Sequence, residues 1–285
     1  MELKISRLSK KYSKDKHGLV NFSITIENGI TGLLGSNGAG KSTLMRIIAT
    51  VSNPTKGSIT FNGEDILKKP NRMRQVLGYL PQDFGVYPNL TGYEFLNYIA
   101  ALKGIGGKSL QNKVNQLLEG VNLMEVSNRP ISTYSGGMKQ RLGIAQVLLN
   151  DPKVLIFDEP TVGLDPAERV RFRNLISELA NDSIIILSSH IVSDIEMIAD
   201  EVVIMKKGSL VQKGYQSEII ETVENKVFEL EIGKEELRYF KDNFVVVSTL
   251  RKKDSVLLRF VSDTPLSHAV LCEPTLEDAF LYLTN

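Results

Sequence analysis

Three short stretches hold residue types whose spacing suits phosphate chemistry. The first, Gly35-Ser36-Asn37-Gly38-Ala39-Gly40-Lys41-Ser42-Thr43, fits the pattern G-x-x-x-x-G-K-[ST]. Its glycines let backbone N–H groups turn inward around an anion, where side chains would obstruct the approach. A helix starting at Lys41 would point its positive end at the same place. In this pattern Lys41 reaches the terminal phosphates and the Ser42 hydroxyl ligates Mg²⁺. The second stretch, Val154-Leu-Ile-Phe-Asp158-Glu159, is an apolar strand that delivers two carboxylates at its carboxyl end. Open parallel sheets bind their ligands at that edge. Asp158 suits Mg²⁺, and Glu159 suits an attacking water that must be oriented or deprotonated. The third, Tyr134-Ser135-Gly136-Gly137-Met138-Lys139-Gln140, opens a helix that runs to about Asn150. It offers a second anion-binding helix start. One nucleotide needs one such cradle, so two suggest two bound nucleotides, each gripped by two chains. On local chemistry alone a plain serine-capped helix is the better explanation of these residues, since such caps are common.

The elements that must position these groups alternate between strand and helix. Phe22, Ile24 and Ile26 alternate with polar residues, and Ile30–Leu34 runs as a strand into the glycine loop. Leu44, Ile47 and Ile48 share one face of the helix that follows, and Ser58–Phe61 reads as a strand. From about residue 83 the pattern turns helical. Thr91 and Glu94 have capping-box spacing, with Phe95, Ile99 and Leu102 as the apolar stripe behind them. Ser109 stands where it could cap a helix striped by Leu110, Val114, Leu117, Leu118 and Val121. After residue 150, Val154–Phe157 and Ser183–Leu187 read as strands buried on both faces. Asp165, Pro166 and Glu168 make a capped helix start, and Lys207-Gly208 turns a hairpin. This is an α/β signature with one helical insertion at about 83–150.

Near Gly214 the composition shifts, giving residues 1–214 as one domain and 215–285 as a small α+β appendage. Strands are expected at Lys226–Ile232, Phe244–Ser248 and Val256–Val261, with a last helix beginning at Glu273.

Composition narrows the function classes. Of 285 residues, 42% are apolar and 24% charged, which excludes a disordered chain. The 34 basic and 33 acidic residues leave a formal charge of +1, which argues against an extended nucleic-acid surface. Cys272, the one cysteine, reads as a buried small apolar residue in a reducing compartment. The start lacks a signal-type apolar core, and no run approaches the roughly 18 apolar residues of a membrane span. Any membrane role is therefore expected to work through a partner chain.

The combination resembles the ATP-binding subunits of ABC transporters over about residues 1–214. The glycine loop, Ser135-Gly-Gly, Asp158-Glu159, Gly163-Leu-Asp-Pro166 and His190 occur in that family's order and roughly its spacing. The resemblance implies a P-loop NTPase core with an antiparallel β subdomain and an inserted helical subdomain. It also implies ATP and Mg²⁺ as ligands. Two subunits, identical or different, would dimerise head to tail and trap two ATP between glycine loop and opposing signature. An integral-membrane permease subunit would anchor the pair at the cytoplasmic face of the cell membrane.

Residue by residue, Gln82 matches the family's Q-loop glutamine, which contacts Mg²⁺ and water. His190 matches the switch histidine at the γ-phosphate. Asp165 matches the D-loop aspartate, and its helix-capping role explains it as well. Tyr12 stands where an aromatic stacks on adenine; an exposed tyrosine is the rival explanation. The signature departs from Leu-Ser-Gly-Gly-Gln at Tyr134 and at Met138, whose side chain has no amide. Gln82–Thr91 and the tail Glu273-Pro-Thr-Leu-Glu-Asp-Ala-Phe resemble the exporter branch that includes drug-resistance systems. Two other readings stay open: a soluble ABC-type ATPase acting on ribosomes or DNA, and a nucleotide-dependent regulatory module that does not turn over.

Overall fold

The computed structural model describes all residues from 1 to 285. Three strands open the chain: β1 (Glu2–Lys11), β2 (His17–Glu27) and β3 (Gly29–Leu34). The glycine loop leads to α1 (Lys41–Ile48), followed by β4 (Lys56–Phe61), the two-residue β5 (Glu64–Asp65), α2 (Pro70–Val76) and β6 (Leu77–Leu80). The helical stretch is α3 (Gly92–Leu102), α4 (Leu110–Gly120) and α5 (Gly136–Val147), and it ends at β7 (Val154–Asp158). Then come α6 (Pro166–Ala180), β8 (Ile184–Ser189), α7 (Val192–Glu196), β9 (Glu201–Lys206) and β10 (Ser209–Tyr215). The last part holds α8 (Gln216–Ile220), β11 (Val227–Gly233), α9 (Leu237–Asn243), β12 (Val245–Arg251), β13 (Ser255–Val261), β14 (Val270–Leu271) and α10 (Leu276–Thr284).

Three sheets result. The central one has six strands in the order β10-β9-β3-β8-β7-β6, flanked by four-stranded sheets ordered β2-β1-β4-β5 and β12-β13-β11-β14. Within the central sheet β9, β3, β8, β7 and β6 run parallel, and only β10 is reversed. Every residue of β7 and β8 is buried. Alternate side chains feed two different cores, as the period of a strand demands. Val154, Ile156, Ile184 and Ile186 face the core beneath the first antiparallel sheet and α1. Leu155, Phe157, Ile185 and Leu187 face the helical stretch. The central sheet is thus covered on both sides, which is why its strands read as continuous apolar runs.

Local signals explain most helix starts. Thr91 and Glu94 form the reciprocal capping box, the Thr91 N–H donating to Glu94 Oε2 at 2.8 Å and the Glu94 N–H to Thr91 Oγ1 at 3.1 Å. Asp165 caps α6 by accepting from the Glu168 N–H at 3.0 Å, with Pro166 in the first turn. Lys207 and Gly208 turn the β9–β10 hairpin with φ of 48° and 83°.

Several expectations are corrected. Leu102 is 67% exposed, because Leu96 and Ala100 fill the buried stripe of α3 beside Phe95. Ser109 precedes α4 in a helical conformation and its hydroxyl caps nothing. The last helix begins at Leu276, where Thr275 accepts from the Asp278 N–H, rather than at Glu273. Cys272 is half-buried beside the edge strand β14, packed against the rim of the largest core rather than within it. The short helices α2, α8 and α9 each bury a single residue, too few to show an apolar period in the sequence.

Candidate functional site

The register of the central sheet assembles the site. Leu34 pairs with Ser189, Asp158 with Ser188, and Leu80 with Phe157. Four adjacent parallel strands therefore end at one edge. The loops leaving them carry the glycine motif after β3, His190 after β8, Asp158-Glu159 at β7 and Gln82 after β6. These loops line an open cleft of about 270 Å³ that gathers Ser36, Gly38, Lys41, Gln82, Glu159 and His190. Asn37, Ala39, Gly40, Ser42, Thr43 and Tyr12 complete the wall, with Lys16, His17 and Gly18 from the start of β2. Lys16 and His17 belong to no motif visible in the sequence.

Backbone geometry shows why glycine is used. Gly40 has φ 107° at the cap of α1, and a Cβ there would meet the Gly18 carbonyl oxygen at 2.5 Å. Gly38 has φ 83° with open space on its Cβ side, the position where a ligand can come closest.

The charged groups are held tightly. Lys41 is buried, and its Nζ donates to the Gly35 carbonyl. Burial lowers the Lys41 pKa, with the Glu159 and Asp158 charges opposing. Asp158 is 3% exposed and accepts from Ser188 Oγ at 2.8 Å, while the same oxygen receives the Glu159 N–H at 3.1 Å. One serine hydroxyl thus fixes both carboxylate residues, a role the sequence did not flag. Burial, assisted by Asp158, pushes the Tyr79 hydroxyl up to about 12, so it stays neutral beside the site. Glu159 itself has φ 54°, a left-handed conformation unusual for a residue other than glycine. Such strain concentrates where a side chain must be aimed. Here the aim is His190, whose Nδ1 lies 2.7 Å from Glu159 Oε2. Tyr12 is half-exposed at the rim; its hydroxyl lies 3.2 Å from Thr43 Oγ1, and Lys10 Nζ sits 5.3 Å from its ring centre.

The oxygen donors Ser42, Asp158 and Gln82 fit Mg²⁺, a hard cation that takes few protein ligands and completes its shell from phosphate and water. The structure gathers no cluster of three or more His, Cys, Asp or Glu that could hold a metal by side chains alone.

Ser135, Gly136 and Gly137 are not brought to this cleft within one chain. Ser135 caps α5 by accepting from the Met138 N–H at 3.2 Å. Met138 Sδ lies 3.5 Å from the Ser135 N–H, so the hydrogen bond from that position is weakened rather than lost. A Cβ on Gly137 would meet the Gly163 carbonyl oxygen at 2.9 Å, so its own chain demands glycine there. A Cβ on Gly136 would meet nothing within 4 Å. Nothing within the chain explains the glycine at 136. Tyr134 is buried and its hydroxyl donates to the Val126 carbonyl at 2.9 Å.

Comparison with known proteins agrees with this geometry. The family described as ABC transporter matches residues 19–162. The ABC transporter ATP-binding protein YxlF of Bacillus subtilis is 38% identical over 253 residues, 88% of this chain and 83% of that protein. The bacitracin transport ATP-binding protein BcrA of Enterococcus faecalis is 41% identical over 192 residues, 67% of this chain and 61% of that protein. The chain spans only about a quarter of two longer relatives from Dictyostelium discoideum. A solved structure described as an ATP binding subunit of an ABC transporter superposes with a TM-score of 0.71 at 29% identity, covering 78% of this chain and 93% of that one.

Proposed function

The chain belongs to the ABC transporter family as an ATP-binding subunit, and from that premise we propose that it hydrolyses ATP to drive a separate membrane-spanning subunit. The observation that carries the proposal is the convergence of Lys41, Glu159 and His190 on one cleft, with Glu159 Oε2 held 2.7 Å from His190 Nδ1.

In this reading the triphosphate lies in the Gly35–Thr43 loop with its base toward Tyr12. Lys41 exchanges its bond to the Gly35 carbonyl for the phosphate oxygens, whose charge reverses the lowering of its pKa. Ser42, Asp158 and Gln82 would hold Mg²⁺, which neutralises phosphate charge when bound. Glu159 accepts a proton from the attacking water. The water oxygen bonds to the γ-phosphorus, and the bond to the β-phosphate oxygen breaks with its electron pair left on ADP. His190 orients the Glu159 carboxylate and lies within reach of the γ-phosphate.

The signature would serve a second subunit. The first turn of α5 leaves backbone N–H groups without helical partners. The free space at Gly136 lets a γ-phosphate approach them. ATP then joins the two subunits, and phosphate release separates them. The differential affinity of the closed pair for ATP supplies the switch.

No helix of the structure is long and apolar enough to cross a membrane. In this reading coupling would pass through a permease subunit at the cytoplasmic face. We place that contact on the Gln82–Leu102 side. There Tyr87 and Tyr98, both exposed, pack edge to face with ring centres 5.2 Å apart. The bacitracin relative and the resemblance at Gln82–Thr91 favour export. The relatives are transporter subunits, which leaves a ribosome- or DNA-directed role without support. We treat residues 1–214 as the ATPase domain and 215–285 as an appended domain.

Glu159→Gln tests the proposal. It should bind ATP like the parent, lose roughly 10²- to 10⁴-fold in hydrolysis, and accumulate a dimer in Mg-ATP. Parental turnover in that variant removes the role given to Glu159.

A further inference from the structure

The loop that leaves Glu159 is pinned on two sides. On one side, buried Thr161 donates its Oγ1 hydrogen to Asp194 Oδ2 at 2.6 Å. Asp194 belongs to α7, the helix that begins two residues after His190, and its side chain is 11% exposed. Its other oxygen accepts from Arg169 Nη1 at 3.2 Å, and Arg169 Nε donates to the Leu164 carbonyl at 3.3 Å. Arg169 stands in the first turns of α6, just after the Asp165 cap. On the other side, the buried Gln140 of the signature helix donates its Nε2–H to the Pro160 carbonyl at 3.1 Å. Gly137 runs so close to the same loop that a Cβ on it would meet the Gly163 carbonyl oxygen at 2.9 Å.

The segment after β7 and the segment after β8 are therefore tied together twice. One tie is the contact between Glu159 and His190 inside the cleft. The other is the bond between Thr161 and Asp194, outside it. Neither Thr161 nor Asp194 lines the cleft. A charged acceptor holding a hydroxyl donor at this distance, in a low-dielectric setting, makes a strong and directional tie.

We infer that Thr161, Asp194 and Arg169 form a positioning clamp that sets His190 against Glu159. This rests on the ATPase reading above, and it deepens it by adding positioning residues that touch neither nucleotide nor water. Loss of the clamp lets α7 shift relative to the 160–164 loop, and the histidine with it. Small misplacements of catalytic groups cost rate without costing ground-state binding. The same loop also carries the signature helix through Gln140. The clamp thus fixes the signature of one subunit relative to the catalytic pair of that same subunit.

The experiment compares Thr161→Val, which keeps the shape and removes the hydroxyl, with Thr161→Ser, which restores it. In the full-length protein, Thr161→Val should lower kcat for ATP by about 10-fold, with ATP Kd within about 2-fold of the parent. Thr161→Ser should recover most of that loss. In a His190→Ala background Thr161→Val should cost little more, because the clamp acts through that histidine. A kcat for Thr161→Val equal to the parent's overturns the clamp. So does a loss in the His190→Ala background as large as in the parent. Should the valine variant not fold, Asp194→Ala carries the same cycle, since it removes the acceptor that Thr161 and Arg169 share. Glu159→Gln run in parallel separates the two ideas. If the parent itself does not turn over ATP, the ATPase reading falls; if Glu159→Gln turns over like an active parent, the role given to Glu159 falls; if Glu159→Gln is inactive while Thr161→Val is not impaired, only the clamp falls.

Discussion

The carboxyl edge of the central sheet and the antiparallel sheet β12-β13-β11-β14 both bury charge, for opposite ends. At the edge of the central sheet, Lys41 and Glu159 are each 7% exposed and Asp158 3%. The lysine's bond is to a carbonyl of its own loop, and burial works against its charge. In the C-terminal part, Asp278 is fully buried and Arg259 grips it through two bonds of 3.0 and 2.7 Å, adding the Glu273 carbonyl at 2.7 Å. Asp278 also closes the cap of α10 by accepting from the Thr275 N–H at 2.7 Å. The first arrangement sets Lys41 and Glu159 against an open cleft. The second consumes its charge internally and anchors a helix. Polar burial alone therefore does not mark a site; incomplete satisfaction aimed at open space does.

The sharpest way to break this contrast is to remove one charge from each region. Lys41→Ala should weaken ATP binding by about 10-fold to 100-fold, the worth of a charged contact to phosphate, read by nucleotide titration. It should leave the fold as stable as before or slightly more so. Its pH signature has a definite sign. The folded pKa of Lys41 lies below the unfolded value of an ordinary lysine, so the unfolded chain binds more protons in the window between them. Stability of the ligand-free protein should rise with pH through that alkaline window, and Lys41→Ala should flatten the rise.

Arg259→Met should do the reverse. It leaves the Asp278 carboxylate buried without its cation, at a cost of about 3–5 kcal/mol to the unit that contains α10. ATP affinity should not move. The reach of that loss is informative, because Leu276 and Ala279 of α10 belong to the same core as Val192 and Ile195 of α7. A calorimetric trace in which the whole chain melts earlier would show that the C-terminal helix is a working part of the ATPase core. An early separate transition would confine it to the appendage.

Tyr134→Phe probes a third, smaller case. Removing the hydroxyl leaves the Val126 carbonyl without its partner, at a cost of about 1–2 kcal/mol in denaturant unfolding. Gly92 explains how a tyrosine fits here: a Cβ on residue 92 would come within 2.5 Å of that hydroxyl.

The contrast also explains what the sequence disclosed. Phosphate geometry leaves few solutions, so Gly35–Thr43 and Asp158-Glu159 can be read directly from residue types. The strands carrying them are buried on both faces and show as unbroken apolar runs. Ser188 and Asp194 do not stand out because a serine or an aspartate has many uses; the register of β7 against β8 reveals the first, and the hydrogen bond from Thr161 the second. Lys16 and His17 were missed because they enter the cleft from a neighbouring sheet, not from a motif. In the C-terminal part, strands were legible from their alternation. The α9 helix was not, since Phe240 alone of its seven residues is buried. Leu102 misled because helical spacing fixes a stripe but not its edges.

The smallest effect concerns Met138. In the structure its sulfur takes the place of a carboxylate or amide in a capping box, 3.5 Å from the Ser135 N–H. Sulfur accepts hydrogen bonds weakly, so one side of the box is closed by a weak bond. Met138→Gln would supply an amide oxygen at the same reach. Its methylene stem would keep part of the contact that Met138 makes with the larger core. The expected gain is a few tenths of a kcal/mol, since one weak bond is exchanged for an ordinary one at an exposed helix start. ATP binding to the single subunit should be unchanged, because residue 138 does not line the cleft. Nucleotide-driven dimerisation should tighten slightly as the Ser135 turn becomes more rigid. Loosened dimerisation would mean that the methionine contributes through packing against the partner, and the signature of this chain would then have to be understood as an apolar contact as well as a polar one.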